Sequence, residues 1–243
     1  MDLVDLSDSQ NAQFNWEIHT RRDLRKKLAL LASCLGGSDK QLLDLGGGNG
    51  TFLDAVLDAY PQAQGTLLDI SPSLIAANKP RAHKTIVIGS VAQMEALLPR
   101  RDYDVITLNW LLHHLVGPSY ASCGDNCVAT LKQCKAMLGD GGVIVIAEAN
   151  YQGAFGGRMP SWLIYTLTSI RTEWIARRLK TFANTAGNGV CFRSAEGWHK
   201  IFARAGLKVV HEEAGSRRWR WRWFWPLLGI YRPWHRHFYL QPV

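Results

Sequence analysis

Between positions 40 and 148 short apolar runs alternate with stretches of helical periodicity. QLLDL (41–45), GTLLDI (65–70), KTIVIG (84–89), YDVITLN (103–109) and VIVIAEA (143–149) have the length and near-continuous apolar character of buried strands. Between them, TFLDAVLDAY (51–60) brings Phe52, Val56, Leu57 and Tyr60 to one helical face. SPSLIAANK opens with Ser71 as an N-cap and Pro72 in the first turn, and VAQMEALL is a short helix. Residues about 120–138 gather Cys127, Val128, Leu131, Cys134 and Leu138 on one face, and the glycines of GDGG (139–142) end that helix. Strands apolar on both faces, separated by helices, predict an α/β fold with a parallel sheet covered on both sides.

Beyond 150 the rhythm changes. SWLIYTLTSIRTEWIARRL places Leu163, Leu167, Ile170, Trp174 and Ile175 near one face, which predicts an amphipathic helix inserted after the fifth strand. SAEGWHKIFARAG (194–206) is a clear helix, with Ser194 as N-cap, Trp198, Ile201, Phe202 and Ala205 inward, and Gly206 as its stop. LKVVHEE is a sixth strand and HFYLQPV a last one. A helical segment, WEIHTRRDLRKKLALLASCLGG, precedes the first strand.

Composition narrows the class. The chain has 243 residues, 47% of them hydrophobic, which suits one large folded domain rather than a disordered chain. The polar, acidic start MDLVDLSDSQ is unlike a secretory signal, and the longest apolar run, WFWPLLGIY, is too short to cross a bilayer. Five cysteines at scattered spacing predict reduced thiols in a cytoplasmic protein, and no Cys/His quartet has zinc spacing. The net charge is +8, of which the six arginines of 217–237 supply +6. That basic signal is local. RRWRWRWFW sets Trp219, Trp221, Trp223 and Trp225 against Arg218, Arg220, Arg222 and Phe224 in period two. Three readings fit it: an added strand packing its Trp face, an anionic membrane surface contacted peripherally, or an acidic carrier protein. Binding of single-stranded nucleic acid by the aromatic and arginine residues is the least favoured reading.

The chemistry concentrates at two places. In LLDLGGGNG a strand delivers Asp44 and then Gly46, Gly47, Gly48 and Gly50, a turn that lets a ligand approach the backbone. The dinucleotide pattern G-x-G-x-x-G/A fails, since its sixth position is Thr51 or Leu53, and no P-loop Gly-Lys-Ser/Thr follows. The second place is NWLLHHL, at the carboxyl edge of the fourth strand, where open α/β sheets bind ligands. Adjacent histidines share a metal poorly, and no H-x-x-x-H occurs. A catalytic base, a substrate-positioning histidine and a packed histidine remain.

The D-x-G-x-G-x-G form, with Asp69 ending the next strand, resembles the first motif of class I S-adenosylmethionine-dependent methyltransferases. NWLLHHL, LKQCKAMLGDGGVIVIAEA and LLDLGGGNGTFLDAVLDAYPQAQG more particularly resemble the catalytic domain of caffeate- and hydroxyindole-type O-methyltransferases, over roughly residues 40–150, with a weaker match at GNGVCFRSAEGW. The resemblance implies a Rossmann-like, seven-stranded, mostly parallel sheet whose last strand is antiparallel, with helices on both faces. It implies S-adenosyl-L-methionine as cofactor, held by Asp44, Gly46, Gly47, Gly48, Asp69, Ile70, Ser90, Val91 and Asn109. Ser90 stands where an Asp is common, so it is either an adenine contact or a helix cap. His113 takes the place of the general base and Glu148 that of the acid orienting it. Three departures follow: His114 stands where the family has Asp, Phe192 where some members place a second acid, and only about 38 residues precede the core.

The expectation is therefore base-assisted O-methylation of a small aromatic hydroxyl compound, free or carrier-bound. Methylation of a membrane quinone or lipid, and a non-catalytic binding protein using the Trp–Arg surface, are the alternatives. The expected organisation is a helical cap (1–38), a cofactor-binding core (39–150), a helical lid (151–190) and the rest of the core (191–243). Phe14, Trp16, Trp162 and Tyr165 are candidate pocket lining.

Overall fold

A computed structural model describes residues 1, 3–4, 6–15, 21–37, 39–98, 100–172, 174, 176, 178, 185–218 and 225–243; at 216–218 and 232 it describes the backbone alone. The helices bounded by described residues are α1 (Asp8–Asn11), α2 (Arg21–Leu35), α3 (Thr51–Ala59), α4 (Pro72–Ala76), α5 (Met94–Leu97), α6 (Tyr120–Met137), α7 (Arg158–Thr168) and α8 (Ala195–Arg204). The strands are β1 (Gln41–Leu45), β2 (Gln64–Asp69), β3 (Lys84–Ile88), β4 (Tyr103–Asn109), β5 (Leu138–Gly153), β6 (Leu207–Arg218) and β7 (Ile230–Pro242). They form one sheet in the order β3-β2-β1-β4-β5-β7-β6, with β7 antiparallel to both neighbours and the rest parallel. The seven strands and the antiparallel last strand are as expected.

Strand alternation sorts the core into two layers. Leu43, Leu45, Ile106, Leu108, Ile144 and Ile146 pack on one face with Leu131 of α6 and Trp198 of α8. Leu42, Val105, Val143 and Val145 pack on the other with Leu31 and Leu35 of α2 and Val56 of α3. Side chains on this second face between the apolar residues, Asp44, Thr107 and Asn109, are buried beneath α2 and α3. The chain order reverses direction between β1 and β4, which opens a crevice at their carboxyl ends.

Three local expectations change. The 120–138 helix ends at Met137, so Leu138 starts β5 and the GDGG glycines lie in that strand's entry. β7 begins at Ile230 rather than 237, and β6 continues to Arg218. The inserted helix α7 stops at Thr168 and buries Pro160, Ser161, Ile164 and Thr168, while Leu163 and Leu167 are half-buried and Trp174 is exposed. The buried face is partly polar because the returning chain bonds to it. Ser161 Oγ donates to the Phe192 carbonyl, and Thr168 Oγ1 accepts from the Val190 N–H at 3.0 Å. Ile175 lies outside the described residues.

Candidate active site

A cavity of about 470 Å³ lies over the crevice. Gly46, Gly47, Gly48, Asp69, Ile70, Ser90 and Val91 line one end, Asn109 the middle, and Trp110, His113, His114 and Phe192 the other. Leu3, Leu6, Asn11 and Phe14 of the N-terminal segment form part of its wall. That segment is tied down at both ends of the cavity. The Val4 N–H donates to the Val116 carbonyl at 2.8 Å, and Asp8 Oδ1 accepts from the hydroxyl of Ser73 at 2.9 Å. Of the candidate lining, Phe14 is part of the wall, Trp162 is exposed, and Tyr165 instead donates to the Gly117 carbonyl at 3.1 Å; Trp16 lies outside the described residues.

The glycine end is built by φ and by missing side chains. Gly48 holds φ at +54°, and a Cβ there would stand 4.0 Å from Asp69 Oδ2, inside the space a ligand would fill. A Cβ on Gly47 would meet Asp44 Oδ2 at 2.7 Å, so the loop closes on the strand only because that atom is absent. The Asp69 carboxylate accepts from the Gly48 and Ser71 N–H groups, each at 2.8 Å. Burial raises its pKa, and these two amides pull the other way. Ser90 does both things expected of it: its hydroxyl caps the turn by accepting from the Ala92 N–H at 3.3 Å, and it lines the cavity.

Asp44 is placed apart from the other residues expected at the cofactor. It does not line the cavity; β1 alternation turns it onto the α2/α3 face, where it is fully buried. Its Oδ1 accepts from Thr107 Oγ1 at 2.6 Å and from Asn109 Nδ2 at 3.4 Å, and burial lifts its pKa to about 6. Above Asn109 sits Lys27 of α2, whose Nζ donates to Asn109 Oδ1 at 2.6 Å. Lys27 is fully buried, 5.1 Å from the Phe52 ring centroid, and burial depresses its pKa to about 7.

The histidine end begins with a backbone in the left-handed region. Trp110 leaves β4 at φ +60°, a conformation costly for a bulky residue, and the chain then enters a tight turn at Leu112–His114. The turn carries His113 over Glu148 of β5. His113 Nδ1 lies 2.7 Å from Glu148 Oε2, and Glu148 Oε1 accepts from the His113 backbone N–H at 3.3 Å. Glu148 is fully buried behind the histidine and does not line the cavity. A carboxylate at Nδ1 fixes that nitrogen as the donor, which leaves the lone pair on Nε2. The Phe192 ring packs against the His113 ring at 4.7 Å between centroids. The His114 ring lies 4.1 Å from that of His113; its burial, and secondly the neighbouring His113, lower its pKa well below the ordinary value. His114 is thus neutral and a poor partner for a second charge.

The arrangement suits proton removal at one end of an elongated cavity and ligand backbone contacts at the other. Phe14 was expected in the wall; Lys27, Trp110, His235 and the wall residues Leu3, Leu6 and Asn11 were not. His235 comes from β7 and meets Trp110 edge-on at 4.2 Å. Trp219, Trp221, Trp223, Arg220, Arg222 and Phe224 lie outside the described residues, while Trp225 packs half-buried with Phe192 and Leu228. Among the described residues no helix is long and apolar enough to cross a membrane.

The family model described as "Methyltransferase domain" matches residues 16–212. Curated relatives include norreticuline-7-O-methyltransferase of Papaver somniferum, 27% identical over 72% of this chain and 42% of its own length. Tabersonine 16-O-methyltransferase of Catharanthus roseus is 30% identical over 68% and 40%. The chain thus spans less than half the length of these relatives. Among solved structures, CalO1, a methyltransferase in calicheamicin biosynthesis in its SAH-bound form, superposes with a TM-score of 0.55 at 18% identity, over 90% of this chain and 54% of that one. A SAM-dependent methyltransferase of Leishmania major gives 0.57 at 18%, over 90% and 71%. At such identity these two are likenesses of fold.

Proposed function

The chain belongs to the methyltransferase domain family, whose methyl donor is S-adenosyl-L-methionine, and from that premise we propose that it methylates a hydroxyl group of a small aromatic compound. The observation that carries the reading is the His113–Glu148 dyad at one end of a cavity whose other end is the Gly48–Asp69 cradle. The named plant relatives, all O-methyltransferases, support the same reaction class.

The residues present fit the donor. Gly48 lines the cavity and puts no side chain beside Asp69, and the Asp69 oxygens keep lone pairs for ribose hydroxyls. Ile70, Ser90 and Val91 flank the place of an adenine. S-adenosyl-L-methionine supplies, when bound, an electrophilic methyl group on a sulfonium.

The rest is the work of this chain. A phenol keeps its proton at neutral pH, its pKa being about 10, so a base within reach assists attack. His113 Nε2 takes that proton. Glu148, fixed behind it by two hydrogen bonds from His113, stabilises the imidazolium that results. Phe192 covers the ring and keeps water from the base. Phe14, Leu111, Leu115 and Trp110 line the cavity at this end and suit a flat apolar acceptor. A positioned base contributes on the order of 10²–10⁴ in rate, and holding both substrates in line supplies the larger remainder.

The test is calorimetric titration with S-adenosyl-L-methionine, followed by release of S-adenosylhomocysteine from a panel of phenols. Micromolar donor binding and turnover on at least one phenol are expected. A folded protein that binds no donor would overturn the proposal.

A further inference from the structure

Asp23, Lys27, Leu31 and Leu35 form the buried stripe of α2, spaced four residues apart. Lys27 is out of place in it. A fully buried ammonium costs several kcal/mol of hydration unless it is paired, and the acid–base dyad makes no use of it. What Lys27 reaches is Asn109, the last residue of β4 and the part of the cavity wall between Gly46 and His113.

An asparagine amide presents either its oxygen or its NH2 to a given side, and its neighbours decide which. Here they decide it from both ends. Lys27 Nζ, a pure donor, meets Oδ1 at 2.6 Å; Asp44 Oδ1, a pure acceptor, meets Nδ2 at 3.4 Å. Nδ2 carries a second hydrogen, which no other described group takes up. Charge acts alongside orientation. Asp44 is a buried carboxylate directly under the glycine loop, and its Oδ2 has no hydrogen-bond partner among the described residues. Unbalanced, that charge would repel an anion at the β1–β4 crevice. Lys27, in its protonated form, is the cation nearest to balance it, and Asp44 in turn favours that form.

We propose that Lys27 is a positioning residue for the amino-acid end of the methyl donor: it holds Asn109 with its amide N–H available at the β1–β4 crevice and offsets Asp44, so that the donor's α-carboxylate is accepted there. Lys27 itself touches no ligand. The proposal rests on the donor reading above and adds to it a role for a helix outside the glycine motif.

The test compares two ligands, S-adenosyl-L-methionine and 5′-methylthioadenosine, which keeps the nucleoside and lacks the amino acid. Both are titrated into wild-type protein, Lys27→Met and Asn109→Ala. Wild-type binding of both ligands secures the donor reading by itself. Lys27→Met is then expected to weaken S-adenosyl-L-methionine at least tenfold and 5′-methylthioadenosine less than twofold. A lysine that merely supports the fold would weaken both equally, and that result, or no loss for either, overturns the proposal. Where Lys27→Met fails to fold, Asn109→Ala decides: the same selectivity sustains it, and equal effects on both ligands overturn it.

Discussion

Replacing Glu148 by glutamine keeps the side-chain volume and removes the charge. The structure makes this substitution demanding. Both carboxylate oxygens face donors: Oε1 takes the His113 backbone N–H, and Oε2 takes His113 Nδ1 and the Ala149 N–H at 3.2 Å. A glutamine must turn its NH2 against one set of them, and each buried donor left unpaired costs about 1–3 kcal/mol. At about 2–4 °C per kcal/mol for a chain of this size, Tm should fall by roughly 2–12 °C for one unpaired donor. The kinetic effect is separate. A hydrogen bond to a charged group contributes about 1.5–3 kcal/mol, and this one strengthens as His113 gains its proton. Loss of that amount in the transition state lowers kcat about 10- to 150-fold. Glu148 does not line the cavity, so donor affinity should change less than twofold. The assay is steady-state release of S-adenosylhomocysteine beside calorimetric donor titration and thermal melting. A kcat within threefold of wild type, in a folded variant with unchanged donor affinity, would refute the role given to Glu148.

Two other outcomes follow from the buried groups and the loop. Lys27 has its pKa depressed from 10.5 to about 7 by burial, so between pH 7 and 10.5 the unfolded chain holds a proton that the native protein has released; stability therefore rises with pH there, by about 2 kcal/mol from pH 7 to 9. Urea denaturation should show that rise in the wild type and its loss in Lys27→Met, and parallel pH profiles would contradict the assignment. Gly48→Ala puts a side chain at φ +54° and into the cavity beside Asp69, which costs roughly 1–2 kcal/mol in backbone strain. Titration should show donor affinity lowered at least tenfold, and unchanged affinity would remove Gly48 from the cradle.

Much of this architecture is legible in the amino-acid pattern because it is local. Apolar runs of strand length, Ser71 and Ser194 as helix starts, and the Trp198–Ile201–Phe202 face each report their own element, and the structure places them so. The dyad is legible only through the family resemblance, which implies the places of His113 and Glu148; the structure brings them together because β4 and β5 are neighbours. What escaped needs contacts between distant segments. Asp44 sits among leucines in a strand buried on both faces, and alternation alone sends its side chain to the helix-covered face rather than to the crevice edge. Lys27 shares a four-residue spacing with Leu31 and Leu35, a hint of burial that its charge conceals. Apart from Phe14, the N-terminal wall has too short an apolar pattern to declare a face. α7 buries small polar residues because their partners return from 185–192, which no periodicity in α7 itself reveals.

The central claim is that His113 is the base of a methyl transfer. It is tested most directly by single-turnover transfer from labelled S-adenosyl-L-methionine to a phenol that the wild type accepts, in wild type and His113→Ala. Donor affinity should stay within about threefold, because the cradle lies at the far end of the cavity, while the transfer rate falls by about 10²–10⁴. Transfer at the wild-type rate in a donor-bound His113→Ala protein would contradict the account.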